Sequence, residues 1–135
     1  MAFPGPALAL DVGTAKIGVA VSDAAQKMAF PLQTMQRRSV ARDAAALAEL
    51  ARNRGVTVLV VGLPDAGGRM VHIARQVGDA LAAVTALPVH YVDEGYTSAE
   101  ARARIADAGL RRDTVDAQAA AIILEQWLGS RAPAG

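Results

Sequence analysis

The chain has 135 residues, enough for one domain with a sizeable core, and 53% of them are hydrophobic but only 4% aromatic. It contains no cysteine, which excludes a disulfide framework, a thiolate nucleophile and a zinc site with cysteine ligands. The net charge is +1, no apolar run reaches the roughly 20 residues of a membrane helix, and the start lacks the features of a signal peptide. We therefore expect one domain over 1–135, with a flexible tail from about residue 130, in a cytoplasmic protein without membrane contacts.

The first half of the chain predicts three strands and a helix. Residues 7–12 and 16–22 are apolar runs separated by a link of three residues, and this spacing favours an antiparallel hairpin. A weaker strand covers roughly 30–36. Ser39 is a suitable amino-terminal cap for a helix over 39–54.

The second half predicts a fold in which strands and helices alternate. Residues 56–63 are apolar without alternation, as expected for a central strand covered on both faces. The remaining predicted elements are a loop at 64–68, a helix at 69–85, a strand at 88–93 and helices at 97–109 and 113–128. This order predicts an α/β fold with a mixed five-stranded sheet, in which strands 1 to 3 are antiparallel, strands 4 and 5 run parallel to central strand 1, and helices cover both faces.

Three acidic residues fall where that topology would bring them together. Asp11 ends the first strand and Glu94 follows the fifth, so both lie at the sheet edge where open α/β folds bind ligands. Asp116 lies on the helix stripe that should pack on the sheet, with Ala119, Ala120, Ile123 and Trp127. Each acid also has a plainer interpretation: Asp11 as a turn residue, Glu94 as an exposed loop acid, and Asp116 as a first-turn acid that interacts with the helix dipole.

Converging carboxylates predict a metal site. An unpaired buried ion costs several kcal/mol, and a bound cation removes that cost. Oxygen ligands suit Mg²⁺ or Mn²⁺, and two such ions about 4 Å apart support phosphodiester cleavage. The two histidines, His72 and His90, are interpreted as packing or surface residues.

Basic residues near the expected site are candidate phosphate contacts. Arginine accounts for twelve of the fourteen basic residues, and its planar fork suits phosphate. The candidates are Lys16, Arg69, Arg111 and Arg112. For each of them alone, an ordinary solvated position is an equally good interpretation, and the Arg37-Arg38 pair is also typical of a solvated surface.

Four segments together resemble the YqgF/RuvX family of ribonuclease H-like nucleases. They have the family's order and spacing and run almost from end to end: LALDVGTAKIGVAVSD (8–23), VVGLP (60–64), VDEGYTSAEA (92–101) and VDAQAAAIIL (115–124). The resemblance implies a ribonuclease H-like fold and a metal-dependent nuclease whose acidic triad is Asp11, Glu94 and Asp116.

The resemblance also implies a nucleic-acid substrate. Family members are associated with trimming the 5′ end of precursor 16S ribosomal RNA and, by kinship to RuvC, with resolving Holliday junctions. We expect the first activity, with a Holliday junction resolvase-like DNA endonuclease or exonuclease as the alternative. The expected partner is structured RNA or branched or single-stranded DNA, and the expected assembly is a monomer or homodimer. Two differences from the family pattern affect the expected binding of substrate. Gly95 stands where the family usually has a basic residue, and the loop after Pro64 is shorter than usual.

Two other classes of protein remain open. A non-catalytic nucleic-acid-binding module is compatible with the basic residues, but it has no reason to keep three carboxylates beside phosphate. The Asp-x-Gly-Thr start at 11–14 also resembles the phosphate loop of actin-like ATPases and sugar kinases. Those proteins close two such domains over a nucleotide, and this chain has one copy of the motif.

Overall fold

The computed structural model of the protein describes residues 3–64, 68–93 and 115–130. Glu94, the predicted helix at 97–109, and the basic pair Arg111 and Arg112 lie outside the described residues. The predictions that concern them therefore stay predictions.

Five strands and three helices make up the described part of the chain. The strands are β1 (Ala7–Val12), β2 (Lys16–Ser22), β3 (Ala29–Gln36), β4 (Val58–Leu63) and β5 (Val89–Asp93). The helices are α1 (Val40–Asn53), α2 (Arg69–Thr85) and α3 (Val115–Ser130). In the described ranges, no helix combines the length and the apolar character needed to cross a membrane.

The strands form one mixed sheet in the order β3-β2-β1-β4-β5. The β1–β2 and β2–β3 pairs are antiparallel, whereas β4 pairs in parallel with both β1 and β5. The predicted topology, with strand 1 at the centre, is confirmed. The carboxyl ends of β1, β4 and β5 consequently share one edge of the sheet.

The amino end of α1 follows the predicted capping chemistry, and a glycine follows its carboxyl end. The Ser39 side chain accepts a hydrogen bond from the Arg42 backbone N–H, and Gly55 takes a positive φ of 67° just after the helix. β4 begins two residues later than predicted, at Val58. The reason is that the Val56 N–H donates to the Ala51 carbonyl and so belongs to the helix end.

The two faces of the sheet carry different cores. On one face, large aliphatic side chains of the sheet, such as Leu8, Leu10 and Leu59, pack against α1 and α2. On the other face, α3 packs on smaller side chains, including Ala9 and Ala20. Hence β1 alternates between large residues on the α1/α2 face and small residues on the α3 face.

Candidate active site

Asp11 lies on the α3 face of the sheet. Ala7 and Ala9 of β1 belong to the core under α3, while Leu8 and Leu10 belong to the opposite core. Because strand side chains alternate with a period of two, Asp11 continues the Ala7 and Ala9 row. Its side chain is half-buried, at the carboxyl end of the strand.

Gly18 connects Asp11 to α3. It is the cross-strand partner of Asp11 in the β1–β2 pair, so the two residues face the same side of the sheet, with Cα atoms roughly 5 Å apart. A Cβ atom at position 18 would collide with the carbonyl group of Asp116. The helix backbone at Asp116 therefore rests directly on the strand that neighbours Asp11.

Asp116 lies in the first turn of α3 and is half-buried. Ala120 and Ile123, four and seven residues further on, are fully buried in the core between α3 and the sheet. These offsets place Asp116 on the same stripe of the helix. The backbones at Asp11 and Asp116 thus lie at one sheet edge, although the two residues are about a hundred positions apart in sequence.

The fifth strand leads toward the same region. Val92 of β5 packs with the α3 core, and the His90 ring lies 5.4 Å from the Trp127 ring of α3. Both residues therefore face α3. The predicted third carboxylate, Glu94, lies two positions beyond Val92 and outside the described residues.

The basic candidates do not all fall on one side of the sheet. Lys16 is exposed at the start of β2, and alternation with Gly18 puts it on the α3 face. Arg69 is exposed at the amino end of α2, which covers the other face. Arg111 and Arg112 lie outside the described residues. The structure therefore places Lys16 near Asp11 and assigns Arg69 to the opposite layer.

The donor set at this edge fits a hard divalent cation. Asp11 and Asp116 offer carboxylate oxygens, the ligands that Mg²⁺ and Mn²⁺ prefer. Within 3–64, 68–93 and 115–130, no group of three or more His, Cys, Asp or Glu side chains forms a metal cluster, and Glu94 lies outside these ranges. His72 is exposed and pairs with Gln76 at 3.2 Å, consistent with its interpretation as a surface residue.

Two features of this edge were not predicted from the sequence. An interior glycine in a strand often marks a close backbone approach, and Gly18 carried that signal. The second feature is Asp43, a fully buried carboxylate that forms a salt bridge with Arg37. Its sequence signal was weak, because an acid in the first turn of a helix is ordinary.

Comparison with known proteins identifies a family profile and relatives that share one name. The family profile described as "RuvX: Holliday junction resolvase" matches residues 5–130. A protein of Anaeromyxobacter dehalogenans named "Putative pre-16S rRNA nuclease" is 42% identical over 134 residues, covering 93% of this chain and 98% of that protein. A protein of Thermosynechococcus vestitus with the same name is 40% identical over 132 residues, covering 92% of this chain and 87% of that protein.

Solved structures agree on the fold. The structure described as "T. thermophilus RuvC in complex with Holliday junction substrate" superposes with a TM-score of 0.58 at 16% identity, covering 93% of this chain and 96% of that chain. A second structure of Thermus thermophilus RuvC gives a TM-score of 0.57 at 15% identity, covering 93% of this chain and 97% of that chain. The predicted ribonuclease H-like fold is confirmed.

Proposed function

The chain belongs to the RuvX family of nucleases, and from that premise we propose that it hydrolyses phosphodiester bonds with the help of divalent cations. The observation that carries the proposal is the contact between Gly18 and the Asp116 backbone, which brings Asp116 next to Asp11. Two acids on neighbouring positions repel each other unless a cation lies between them, so this placement favours a metal site.

In this proposal, Glu94 completes the site. The alternation of β5 puts His90 and Val92 on the α3 face, and Glu94 is the next position in that alternation. A continuation of the strand by one residue would bring its carboxylate to the edge where Asp11 ends β1. This role rests on strand periodicity and on the family motif, and it is tested by substitution.

Asp11, Glu94 and Asp116 would hold Mg²⁺ or Mn²⁺, as one pair of ions. When bound, two such ions supply an activated water and stabilise the leaving oxygen of an in-line displacement. The carboxylates would fix the positions of the ions, and the sheet fixes the backbone of Asp11. α3 sets the position of Asp116 through its contact with Gly18. The absence of a side chain at position 18 is therefore needed for the geometry of the site.

We propose 5′-end processing of precursor 16S ribosomal RNA in the cytoplasm as the biological reaction. The support is the shared name of relatives that are 37–42% identical over nearly the whole chain. Thermus thermophilus RuvC supports a second candidate, cleavage of branched DNA, because that protein shares the fold and was solved with a Holliday junction. We propose that one domain over 1–135 carries the reaction, as a monomer or homodimer.

Phosphate contacts are proposed for Lys16, Arg69, Arg111 and Arg112. Lys16 is the best placed of the described residues, since it shares the α3 face with Asp11. Contacts of this kind position the substrate without reading its sequence. Charge reversal of Arg111 and Arg112 together should consequently weaken binding about equally for all sequences.

The test is a cleavage assay with labelled structured RNA, single-stranded DNA and a four-way DNA junction, each with Mg²⁺, Mn²⁺ or a chelator. We expect cleavage of the RNA that depends on the cation and is abolished in Asp11→Asn. Glu49→Gln is the matched control, since Glu49 is an exposed acid on α1. Binding without cleavage of any substrate in either cation would instead identify a non-catalytic nucleic-acid-binding module.

A further inference from the structure

A cavity of about 530 Å³ lies between β3, the link after it and α1. Its polar lining consists of three arginines, one aspartate and two glutamines: Arg37, Arg38, Arg42, Asp43, Gln33 and Gln36. We name the three arginines with Asp43 the arginine pocket. Its formal charge is +2 in a chain whose net charge is only +1. The pocket is thus a local concentration of positive charge.

Asp43 organises this pocket. Its carboxylate is fully buried, with Oδ2 3.3 Å from Nε of Arg37 and Oδ1 accepting a hydrogen bond of 3.0 Å from the Arg38 backbone N–H. A buried carboxylate needs such partners, because its desolvation is costly. Its negative charge is therefore directed at the backbone and at one edge of a single guanidinium.

The cationic groups keep much of their bonding capacity. The Arg37 side chain is only 14% exposed and contacts Asp43 through Nε, which leaves its two terminal nitrogens for other acceptors. In the part of the chain that the structure describes, Arg38 and Arg42 show no side-chain hydrogen bond or ion pair. Three guanidinium groups around one cavity favour an anion with several oxygens, since Arg binds such groups with paired N–H donors.

The pocket lies at the same edge of the sheet as Asp11, but on the α1 face, opposite α3. The Arg37 N–H donates to the Ala15 carbonyl at 2.9 Å, and Ala15 belongs to the link between β1 and β2. Gln36, at the end of β3, pairs with Lys16. Two strand spacings separate β3 from β1, which corresponds to roughly 10 Å. A phosphodiester chain that runs from Asp11 past Lys16 on the α3 face, and then around the β1–β2 link to the α1 face, would reach the pocket.

We infer that the arginine pocket binds the sugar–phosphate backbone of the nucleic-acid substrate at a phosphate away from the bond that is cut. The inference rests on the proposed function in one respect, that the substrate is a nucleic acid. It deepens that function by naming a second contact region, on the α1 side of the hairpin. Such a contact acts on any sequence, because phosphate contacts carry no base information.

The experiment compares Arg38→Glu/Arg42→Glu with Arg52→Glu/Arg54→Glu. Both double variants change the net charge equally, and all four arginines are exposed, but Arg52 and Arg54 lie at the far end of α1. Binding of a labelled RNA hairpin and of a four-way DNA junction is titrated in Ca²⁺ at several salt concentrations, with probe integrity checked on gels. Thermal melting verifies that each variant is folded.

The pocket variant should bind at least one of the two probes about tenfold or more weakly than the control variant. The slope of log affinity against log salt should become shallower by roughly 0.7 to 0.9 for each lost phosphate contact. The neutral variant Arg38→Gln/Arg42→Gln should show the same change in slope with a smaller loss of affinity. The probe that responds identifies whether the backbone is RNA or DNA.

Equal affinity and equal slope in the pocket and control variants, for both probes, would overturn the inference. The result is independent of the cleavage assay. If the wild-type protein cleaves no substrate but the pocket variant binds more weakly than the control variant, the proposed function is contradicted and the inference about the pocket stands. If the wild-type protein cleaves but the pocket variant binds as the control variant does, the proposed function stands and the inference about the pocket is contradicted.

Discussion

The two faces of the sheet differ in the size of the side chains that the same strands present. On the α1/α2 face, β1 contributes Leu8, Leu10 and Val12 to a core of large aliphatic side chains. On the α3 face, the alternate positions are Ala7, Ala9 and finally Asp11. Large side chains bury more apolar surface, which is the main source of stability. Small ones allow a helix backbone to come close to the strands, and that approach sets the position of Asp116.

The difference separates stability from chemistry within a single strand. A substitution on the α1/α2 face should affect mainly the free energy of unfolding. A substitution on the α3 face near the sheet edge should affect mainly the geometry of the carboxylates. Substitutions on each face test this separation. The largest effect on the free energy of unfolding is expected in the core of large side chains.

Leu47→Ala should lower the free energy of unfolding by about 2–5 kcal/mol, because it leaves a cavity in the large core. Leu47 is fully buried on α1 and belongs to the core on the side away from α3. Denaturant unfolding measures the loss, with the exposed Glu49→Ala on the same helix as control. Cleavage per folded molecule should stay at the parent level, and a specific loss of cleavage would show that the two faces are not separable.

Gly18→Ala should cost about 1–3 kcal/mol of stability, since the added methyl group forces the start of α3 away from β2. Cleavage should fall as well, because Asp116 moves with the helix. Gly129→Ala, near the end of α3, is the control, as a Cβ there meets nothing within 4 Å. Parent-like cleavage and stability in Gly18→Ala would refute the close approach of α3.

Asp23→Asn should have the smallest effect, and the effect should depend on pH. Asp23 lies at the opposite edge of the sheet and accepts hydrogen bonds from the Met28 and Lys27 N–H groups, which hold the pKa of its carboxyl below the ordinary value. A pKa that is lower in the folded state stabilises the protein at pH values above the unfolded pKa, and this contribution disappears as pH falls through the folded pKa.

Unfolding of Asp23→Asn and of the parent should therefore differ slightly at neutral pH. The difference should shrink as pH falls below about 4, the pKa of a carboxyl in an unfolded chain. Cleavage at neutral pH should match the parent, because this carboxylate lies away from the site edge. A stability difference that grows toward acid would contradict the assigned hydrogen bonds.

The scaffold was easier to predict from the sequence than the contacts within it. The bounds of β1 and β2 matched because short apolar runs end at Gly13 and begin again at Lys16, and the strand order followed from connection rules. The contact of Gly18 with Asp116 was not predicted, since it depends on how α3 packs against the sheet. The Arg37–Asp43 pair was missed because Arg37 lies in the link after β3 and Asp43 lies on α1, so no period of a single element relates them.

The roles of the acids remain predictions of a different kind. Periodicity placed Asp11 and Asp116 on faces that the structure brings together, whereas Glu94 lies outside the described residues. Periodicity defines which face a side chain shares, but it carries no information on the ion that would occupy the edge. A direct measurement of cation binding is required for that step.

The central claim is that Asp11 and Asp116 form part of one cation site, and a calorimetric titration with Mn²⁺ tests it most directly. Asp116→Asn should bind Mn²⁺ at least about tenfold more weakly than the parent, because the amide carries no charge to hold the ion. Its melting temperature without cation should be equal or higher, since a half-buried anion is removed. Glu49→Gln should bind as the parent does. Parent-like Mn²⁺ affinity in Asp116→Asn would contradict the claim and leave Asp116 as a residue of the helix terminus.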